Sequence, residues 1–358
     1  MAVSYAVSRA IKRTSPFFYQ KRFESTVASL TKDEILILLR PPFTNWSNII
    51  RDAEKVVGYP TSFMNLRCLL SDEFANMALY LRKLVGSNHL VMQTAKNVLY
   101  GDSKNLQPWG LIILLLSKSV KKNMTAQKTQ EPTRNLAELI EMIRTGHLIH
   151  KGIVNVPYRK RSKDTESAIF GNKIALLLGD YLLVTANSIL AGLRNSDVSY
   201  IVSTALKDLS EGEFFGERDE QNMPLPGRGC QSAMVLDRQN WETQGYAYQF
   251  GCHVGLAWQA ATELQQLTSD SKEQFCLASA PVLFALDCNP GLYNIIEQAK
   301  NDVKDVDYED LKFNILKTDA VDKTQMLYQE HAKKATEYIE NIGQNESVEI
   351  IKKLINTF

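Results

Sequence analysis

The chain has 358 residues, of which 44% are hydrophobic and 23% are charged, a composition typical of a globular protein rather than a disordered one. Lysine plus arginine (41) nearly balances aspartate plus glutamate (40), so net charge favours neither nucleic acid nor a strongly acidic partner. No uninterrupted run of about 18 apolar residues occurs, so we expect no transmembrane helix. The five cysteines form no CxxC pair, and we expect reduced thiols rather than a zinc ribbon or a disulfide framework.

The first 30 residues differ from the rest of the chain in charge. They contain five basic residues and one acidic residue, with several serines and threonines and no apolar core of a secretory signal. A basic, serine-rich and acid-poor leader is typical of a mitochondrial transit peptide, and the membrane potential draws such a segment inward. We therefore predict a transit peptide at residues 1–30 and a location in the mitochondrial matrix. An ordinary basic and frayed N-terminus is the alternative.

Helical periodicity follows the leader. Apolar residues recur near every 3.6 positions in segments bounded by capping residues, glycine or proline, which predicts helices. In the first half of the chain the predicted helices are 48–57, 73–85, 89–101, 109–120 and 134–150. On the last of these, His147 and His150 share one face with four leucine and isoleucine residues.

The second half is also dominated by helical patterns, and β-strand alternation is hardly seen. The predicted helices are 171–193, 196–216, 241–267 and 322–342. Residues 280–288 form the one run that would also suit a β-strand, and we interpret them as a helix or the edge of one. Residues 171–193 are apolar almost all round, so we expect a central, buried helix there. Residues 216–229 contain two prolines and three glycines and predict a long break between helices. We predict an all-α fold in one domain spanning residues 35–358.

Motif spacing alone assigns no reaction centre. His147 and His150 lie three positions apart on a helix but lack a third metal ligand at a recognised spacing, and HExxH is absent. The nucleophile elbow GxSxG, the phosphate loops GxxxxGK[ST] and GxGxxG, and the magnesium motif DDxxD are also absent. Glu211 and Glu213 are two apart, so on a helix they do not face each other.

Four segments in order nevertheless resemble the trans-isoprenyl diphosphate synthase family. They are GNKIALLLGDYLLVTA (171–186), LSEGEF (209–214), YQFGCHVGLAWQ (248–259) and HAKKATEYIENI (331–342). Order and spacing agree from about residue 108 to the end of the chain. The resemblance implies a single large helical bundle of the isoprenyl diphosphate synthase type, and a role in trans-prenyl transfer.

The resemblance also shows where this sequence departs from the family, at the two aspartate-rich motifs that hold magnesium in catalytic members. The three positions of the first motif are occupied by Lys151, Gly152 and Asn155. The three positions of the second motif are occupied by Thr262, Glu263 and Gln266. A lysine at a ligand position repels a unit charge by about 4 kcal/mol at ~4 Å and an effective dielectric near 20, and a dication by about twice that. We expect neither a metal site nor a catalytic residue, and no cofactor bound by this chain.

Further sites are implied by the same resemblance. Remnants of the family's diphosphate-binding groups fall at Lys104, Lys160 and Arg161. Gly146 and His147, one turn before the lost first motif, are candidates for the wall of the prenyl channel, where bulky residues stop chain growth in the family. The alternative for Gly146 is close packing between helices.

The resemblance, together with the lost metal motifs, implies a non-catalytic subunit of a heteromeric all-trans-polyprenyl (decaprenyl or nonaprenyl) diphosphate synthase that makes the side chain of ubiquinone. Its partner would be a catalytic subunit 1, in a heterodimer or heterotetramer. That partner would hold Mg²⁺, and isoprenoid diphosphates would bind through the complex, with peripheral association at the inner membrane and no nucleic acid. Two alternatives remain: a stand-alone transferase with a metal site rebuilt from His147, His150, Glu211 and Glu263, or a scaffold that binds prenyl lipids.

Overall fold

A computed structural model describes most of the chain after the leader. The described residues are 45–59, 109–120, 131–154, 163–215, 224–268, 274–299 and 305–358. Every regular element within them is helical, which confirms the predicted all-α class. The predicted leader, the predicted helices 73–85 and 89–101, and the residues Lys104, Asn155, Lys160 and Arg161 lie outside the described residues.

The described helices are numbered in chain order. They are α1 (Asn45–Val57), α2 (Trp109–Ser119), α3 (Glu131–Lys151), α4 (Lys163–Gly192), α5 (Ser196–Phe215), α6 (Pro224–Leu236), α7 (Trp241–Thr268), α8 (Ala280–Cys288), α9 (Tyr293–Glu297), α10 (Tyr308–Ile315), α11 (Ala320–Ile342) and α12 (Glu346–Ile355), with a 3₁₀ turn at Pro290–Leu292. The helix predicted at 280–288 is confirmed as α8.

The chain divides into two compact units. The first contains residues 1–47, 60–106 and 141–187, and the second contains residues 48–59, 107–140 and 188–358. Within the described part of the first unit, the end of α3 and most of α4 are the main elements. The single domain over residues 35–358 stays a prediction.

The core of the second unit is built around the apolar helix α2. Leu111 to Leu116 are all buried there, so this helix is covered on every side. Helices α6 and α12 pack directly against α2, and α7 packs against both α6 and α11. Aromatic contacts join segments that are distant in the sequence. The Trp258 ring lies 6.2 Å from that of Trp109 and 4.8 Å from that of Phe358. A second apolar cluster, which includes Leu267, joins the end of α7 to α8, α10 and the start of α11.

Helix α6 corrects one prediction. Residues 216–229 were expected to form a break, but 224–229 are the first turns of α6. Pro224 and Pro226 lie in the first turn, where a backbone N–H has no helical partner and proline is tolerated. Gly229 serves close packing, because a Cβ there would lie 2.9 Å from the Ile113 Cδ1 atom.

Helix α4 corrects another. Its apolar circumference predicted a central, buried helix, yet Ile169, Leu176, Leu177 and Val184 are between 49% and 67% exposed. The segment Ala168–Gly192 is long and apolar enough to cross a membrane by length and composition alone. The expectation of no transmembrane helix stays a prediction. Buried core helices pass the same test, so length and composition assign no membrane span here.

Candidate functional site

The first degenerate metal motif begins in the last turn of α3. Lys151 is the final residue of the helix and is exposed, and Gly152 follows as a buried residue in a turn. The Gly152 N–H donates to the Ile149 carbonyl at 3.0 Å, so the helix closes with a tightened last turn. A cation at a helix C-terminus is favourable in itself, because the last carbonyls carry partial negative charge. Lys151 therefore suits the local field in a way that a row of aspartates would not.

The chain that follows this motif is clamped to α4 by one side chain. The Asn172 Oδ1 atom accepts from the Val154 N–H at 2.9 Å, and the Asn172 Nδ2 group donates to the Val154 carbonyl at 2.7 Å. Both backbone polar groups of Val154 are therefore hydrogen-bonded, which holds the chain leaving α3 in one conformation. Sequence reasoning did not single out Asn172, although it lies in the first segment that resembles the family.

His150 lies beside α4 and contacts it through its ring. The Nε2 atom is 3.2 Å from the Leu176 carbonyl and 3.4 Å from the Asp180 Oδ1 atom. The ring fits over Gly179, since a Cβ at that position would collide with it. This contact gives His150 a role in helix packing.

Gly146 also lies where α3 approaches α4. A Cβ on Gly146 would be 3.1 Å from the Gly179 carbonyl oxygen and 3.4 Å from atoms of Leu182 and Leu183. The geometry matches the close-packing alternative for this glycine. The channel role of Gly146 and His147 stays a prediction.

A buried ion pair one turn earlier on α3 was missed by sequence reasoning. The Arg144 Nε atom donates to the Glu141 Oε2 atom at 3.0 Å, and both side chains are more than nine-tenths buried. The Arg144 Nη2 group has no hydrogen-bond partner there. Removing the Glu141 charge would leave the Arg144 guanidinium buried without this carboxylate, which is typically costly. The spacing of i and i+3 fits such a pair, but nothing in the sequence indicates that this face is buried.

The second degenerate motif lies near the end of α7, and its one carboxylate is already in use. The Glu263 side chain is buried, its Oε2 atom accepts from the Ala280 N–H at 2.8 Å, and its Oε1 atom accepts from the Gln259 side-chain amide at 2.9 Å. The first of these bonds satisfies a backbone donor at the start of α8. The Thr262 hydroxyl donates to the Trp258 carbonyl at 2.8 Å, and Gln266 is exposed.

Two stacked histidines lie on the other side of α7. The Nδ1 atoms of His253 and His331 are 2.9 Å apart, and the Tyr338 ring stacks on His253 with centroids 5.6 Å apart. Burial, followed by the proximity of His331, lowers the pKa of His253 to about 4. Lys334 lowers this pKa further, whereas Glu330 raises it. The arrangement requires at least one neutral ring, and it joins α7 to α11.

Candidate metal ligands do not gather elsewhere in the part of the chain that the structure describes. Within the described ranges, no group of three or more histidine, cysteine, aspartate or glutamate side chains could hold a metal ion. Glu211, one of the alternative ligands, forms an ion pair with Lys207 at 3.0 Å.

Comparisons with known proteins identify the family. A family model described as Polyprenyl synthetase matches residues 89–226. The human protein "All trans-polyprenyl-diphosphate synthase PDSS2" is 33% identical over 350 residues, which cover 87% of this chain and 86% of the human one. A Yarrowia lipolytica protein, "Probable hexaprenyl pyrophosphate synthase, mitochondrial", is 23% identical over 409 residues, covering 89% of this chain and 90% of that protein.

A solved structure agrees in fold. The crystal structure of a polyprenyl synthase from Caulobacter crescentus CB15, complexed with calcium and isoprenyl diphosphate, matches with a TM-score of 0.63 at 17% identity. The match covers 87% of this chain and 96% of that chain. The structural likeness supports the fold, and the identity to the human relative over most of both chains confirms the resemblance found in the sequence. This chain belongs to the polyprenyl diphosphate synthase family.

Proposed function

We propose that this chain is the non-catalytic subunit of a heteromeric all-trans-polyprenyl diphosphate synthase. In this proposal a catalytic subunit holds Mg²⁺ and makes the decaprenyl or nonaprenyl side chain of ubiquinone in the mitochondrial matrix. The human relative is named as a polyprenyl diphosphate synthase, and the Yarrowia relative is named as mitochondrial. The basic, acid-poor first 30 residues favour the same compartment.

One observation carries the proposal: the positions that should hold metal offer no carboxylate available for it. Lys151 places a cation at the first ligand position of α3. Glu263 is buried and uses both oxygens for hydrogen bonds within the chain. A magnesium site needs several carboxylate or carbonyl oxygens directed at one point, and recruiting Glu263 would remove a backbone partner at the start of α8. Subunit-only roles are therefore favoured over turnover by this chain alone.

An exposed apolar face on α4 favours the proposal of a partner subunit. Ile169, Leu176, Leu177 and Val184 lie at intervals of seven, one and seven residues, so they share one side of the helix. Burial of an aliphatic side chain usually contributes about 1.5–3 kcal/mol of stabilisation, and these four exposed side chains do not gain it in the isolated chain. Lys173 and Asp180 lie on the same face and can orient a partner through charge. We assign this face to contact with the catalytic subunit.

A non-catalytic subunit can still act through such a contact. Binding to the folded partner shifts that partner's folding equilibrium by mass action, and the gain is about 2.7 kcal/mol when the concentration is 100 times the dissociation constant. Covering an apolar surface of the catalytic subunit would also prevent its aggregation. The expected effect is higher yield and activity of the partner rather than new chemistry.

The test is to express the full chain with and without a catalytic polyprenyl diphosphate synthase subunit from the same source. Incorporation of labelled isopentenyl diphosphate into an allylic primer is then measured with Mg²⁺. We expect no product from this chain alone, and a higher product yield when both chains are present. Product from this chain alone would refute the proposal, and so would two chains that neither associate nor affect each other.

A pair of matched variants locates the contact. Val184 on α4 and Met326 on α11 are each 67% exposed, so neither Val184→Asp nor Met326→Asp should unfold the isolated chain. An unpaired charge buried in an interface costs about 3 kcal/mol or more. Val184→Asp should therefore abolish copurification with the catalytic subunit, whereas Met326→Asp should leave it unchanged. If both variants changed copurification equally, the exposed face of α4 would not be the contact surface.

The described residues do not favour the alternative of a stand-alone transferase with a rebuilt metal site. Glu211 is paired with Lys207, His150 packs against Gly179, and Glu263 caps α8. The prenyl-lipid scaffold would be favoured if the chain bound polyprenyl diphosphates without associating with the catalytic subunit.

A further inference from the structure

A cluster of three reactive side chains lies away from the two degenerate motifs, where the end of α8 meets the start of α11. Cys288 is the last residue of α8 and is an exposed, free cysteine. Asp319 precedes the first residue of α11, and Lys323 lies one turn further on. Both neighbouring charges are partly exposed, with 57% of the Asp319 side chain and 41% of the Lys323 side chain accessible.

The contacts form a closed triangle. The Cys288 Sγ–H group donates to the Asp319 Oδ1 atom at 2.9 Å, and the Lys323 Nζ group donates to the Cys288 Sγ atom at 3.0 Å. The third side is an ion pair between the Lys323 Nζ and Asp319 Oδ2 atoms at 3.2 Å. Asp319 is held in place by its position at the start of α11, where its carbonyl accepts from the Lys323 N–H. The sulfur thus has a proton acceptor and a cation at fixed positions.

We propose that Cys288 is a peroxide-sensitive modification site, in which Asp319 takes up the thiol proton and Lys323 stabilises the departing hydroxide. The inference does not depend on the proposed function. Cysteine reactivity is favoured at an accessible sulfur beside a positive group, and this triangle provides an exposed sulfur, an adjacent ammonium and a carboxylate that accepts the S–H hydrogen bond. Asp287 adds a further negative charge beside Cys288, so a small neutral hydroperoxide suits the site better than an anionic disulfide.

The step balances in atoms and electrons. The sulfur attacks one oxygen of hydrogen peroxide, an S–O bond forms and the O–O bond breaks. The sulfur loses two electrons, and the peroxide gains them. The second oxygen leaves as hydroxide and becomes water on receiving the thiol proton from Asp319, so that Cys–SH and H₂O₂ give Cys–SOH and H₂O. The sulfenic acid is reversible by thiols.

Charge states agree with this assignment. The hydrogen bond from Cys288, followed by that from Lys323, lowers the pKa of Asp319, so the carboxylate is ionised at neutral pH and accepts the hydrogen bond of the thiol. The hydrogen bond to Cys288, followed by that to Asp319, raises the pKa of Lys323, so the ammonium is present at neutral pH. By contrast, the thiol of Cys230 is buried, and burial raises its pKa, which makes it an unreactive thiol.

The experiment treats the full chain with hydrogen peroxide and a dimedone-type trap, and then measures the rate of sulfenic acid formation at each cysteine by peptide mass spectrometry. Loss of one charge-assisted hydrogen bond to the reacting sulfur should slow Cys288 about tenfold in Lys323→Met. Lys323→Arg should retain most of the rate. Asp319→Asn should also slow the reaction, because the amide accepts a proton poorly.

Matched changes on the same helix serve as controls. Lys333→Met and Glu337→Gln remove exposed charges from α11 ten and fourteen residues after Lys323, and they should leave the rate unchanged. Cys276, the other exposed free cysteine among the described residues, is followed in the same samples and should respond to none of the variants. The proposal fails if Cys288 forms no trapped sulfenic acid, or if Lys323→Met alters Cys276 and Cys288 equally or alters neither.

Discussion

Replacement of Gly251 by alanine should weaken the packing of α6 against α7. A Cβ on Gly251 would collide with the Pro226 carbonyl oxygen and would lie 2.8 Å from the Gly227 Cα atom. Both neighbours are backbone atoms in the first turn of α6, so no rotamer change can make room. Gly227 is equally confined, because a Cβ there would lie 2.5 Å from the Cys252 Sγ atom. The two helices therefore cross through contact between glycines.

The size of the effect follows from two opposing terms. Overpacking a close-packed core typically costs about 1–3 kcal/mol, and the figure is higher when backbone must move. Alanine is favoured over glycine within a helix by about 1 kcal/mol, which offsets part of that cost. Because Phe250 and Cys252 on either side of the glycine are also buried, a shift of α7 would loosen their packing too. We expect Gly251→Ala to lower the free energy of unfolding by about 1–3 kcal/mol.

Gly245 provides the matched control on the same helix. A Cβ there would meet nothing within 4 Å, so Gly245→Ala should be neutral or should stabilise the chain by up to about 1 kcal/mol. Unfolding in guanidinium chloride, followed by far-UV circular dichroism, gives both midpoints. Equal denaturant midpoints for the two alanine variants would refute a backbone clash at Gly251, since helix propensity alone would then explain both.

Two further predictions concern α7. The Glu263 carboxylate accepts from the Gln259 amide and from the first N–H of α8, and Glu263→Gln would place an amide N–H against one of these two donors. We expect it to lower the free energy of unfolding in guanidinium chloride by about 1–3 kcal/mol. Glu337→Gln, at an exposed position, should lower it much less. The pKa of His253, lowered to about 4 by burial and by His331, predicts that stability falls as the pH drops from 6.5 towards 4, because the unfolded chain then binds a proton that the folded chain does not. His253→Gln should flatten that decline in the denaturation midpoint, and an equally steep decline in the variant would contradict the assignment.

The helices were predictable wherever periodicity and burial agree. The apolar run of α2 and the segment that became α8 were both assigned correctly, because each is bounded by residues that start or stop a helix. The start of α6 was not, since Pro224 and Gly227 are turn residues by composition. Their helical conformation depends on contacts with α7, and local sequence carries no information about that neighbour.

The exposure of α4 and the hydrogen bonds of Glu263 could not be predicted from the sequence, for a related reason. Periodicity reports which faces of a helix are apolar, not which of them the rest of the chain covers, so Val184 looked buried. The Ala280 N–H that Glu263 accepts is 17 positions away and becomes a neighbour only through the turn before α8. His253 and His331 are 78 positions apart and are paired by the packing of α7 against α11.

The segments that resemble the family and the positions that depart from it differ in what the fold requires of them. Asn172 holds the exit of α3 through two hydrogen bonds, Gly179 accommodates the His150 ring, and Gly251 lets α7 approach α6. Lys151 and Gly152 lie at the end of α3, where the resemblance to the family places aspartates that bind metal rather than residues that join helices. Under the proposed function, metal ligands are dispensable in this subunit, while the residues that shape its helices remain necessary for the proposed partner to recognise it.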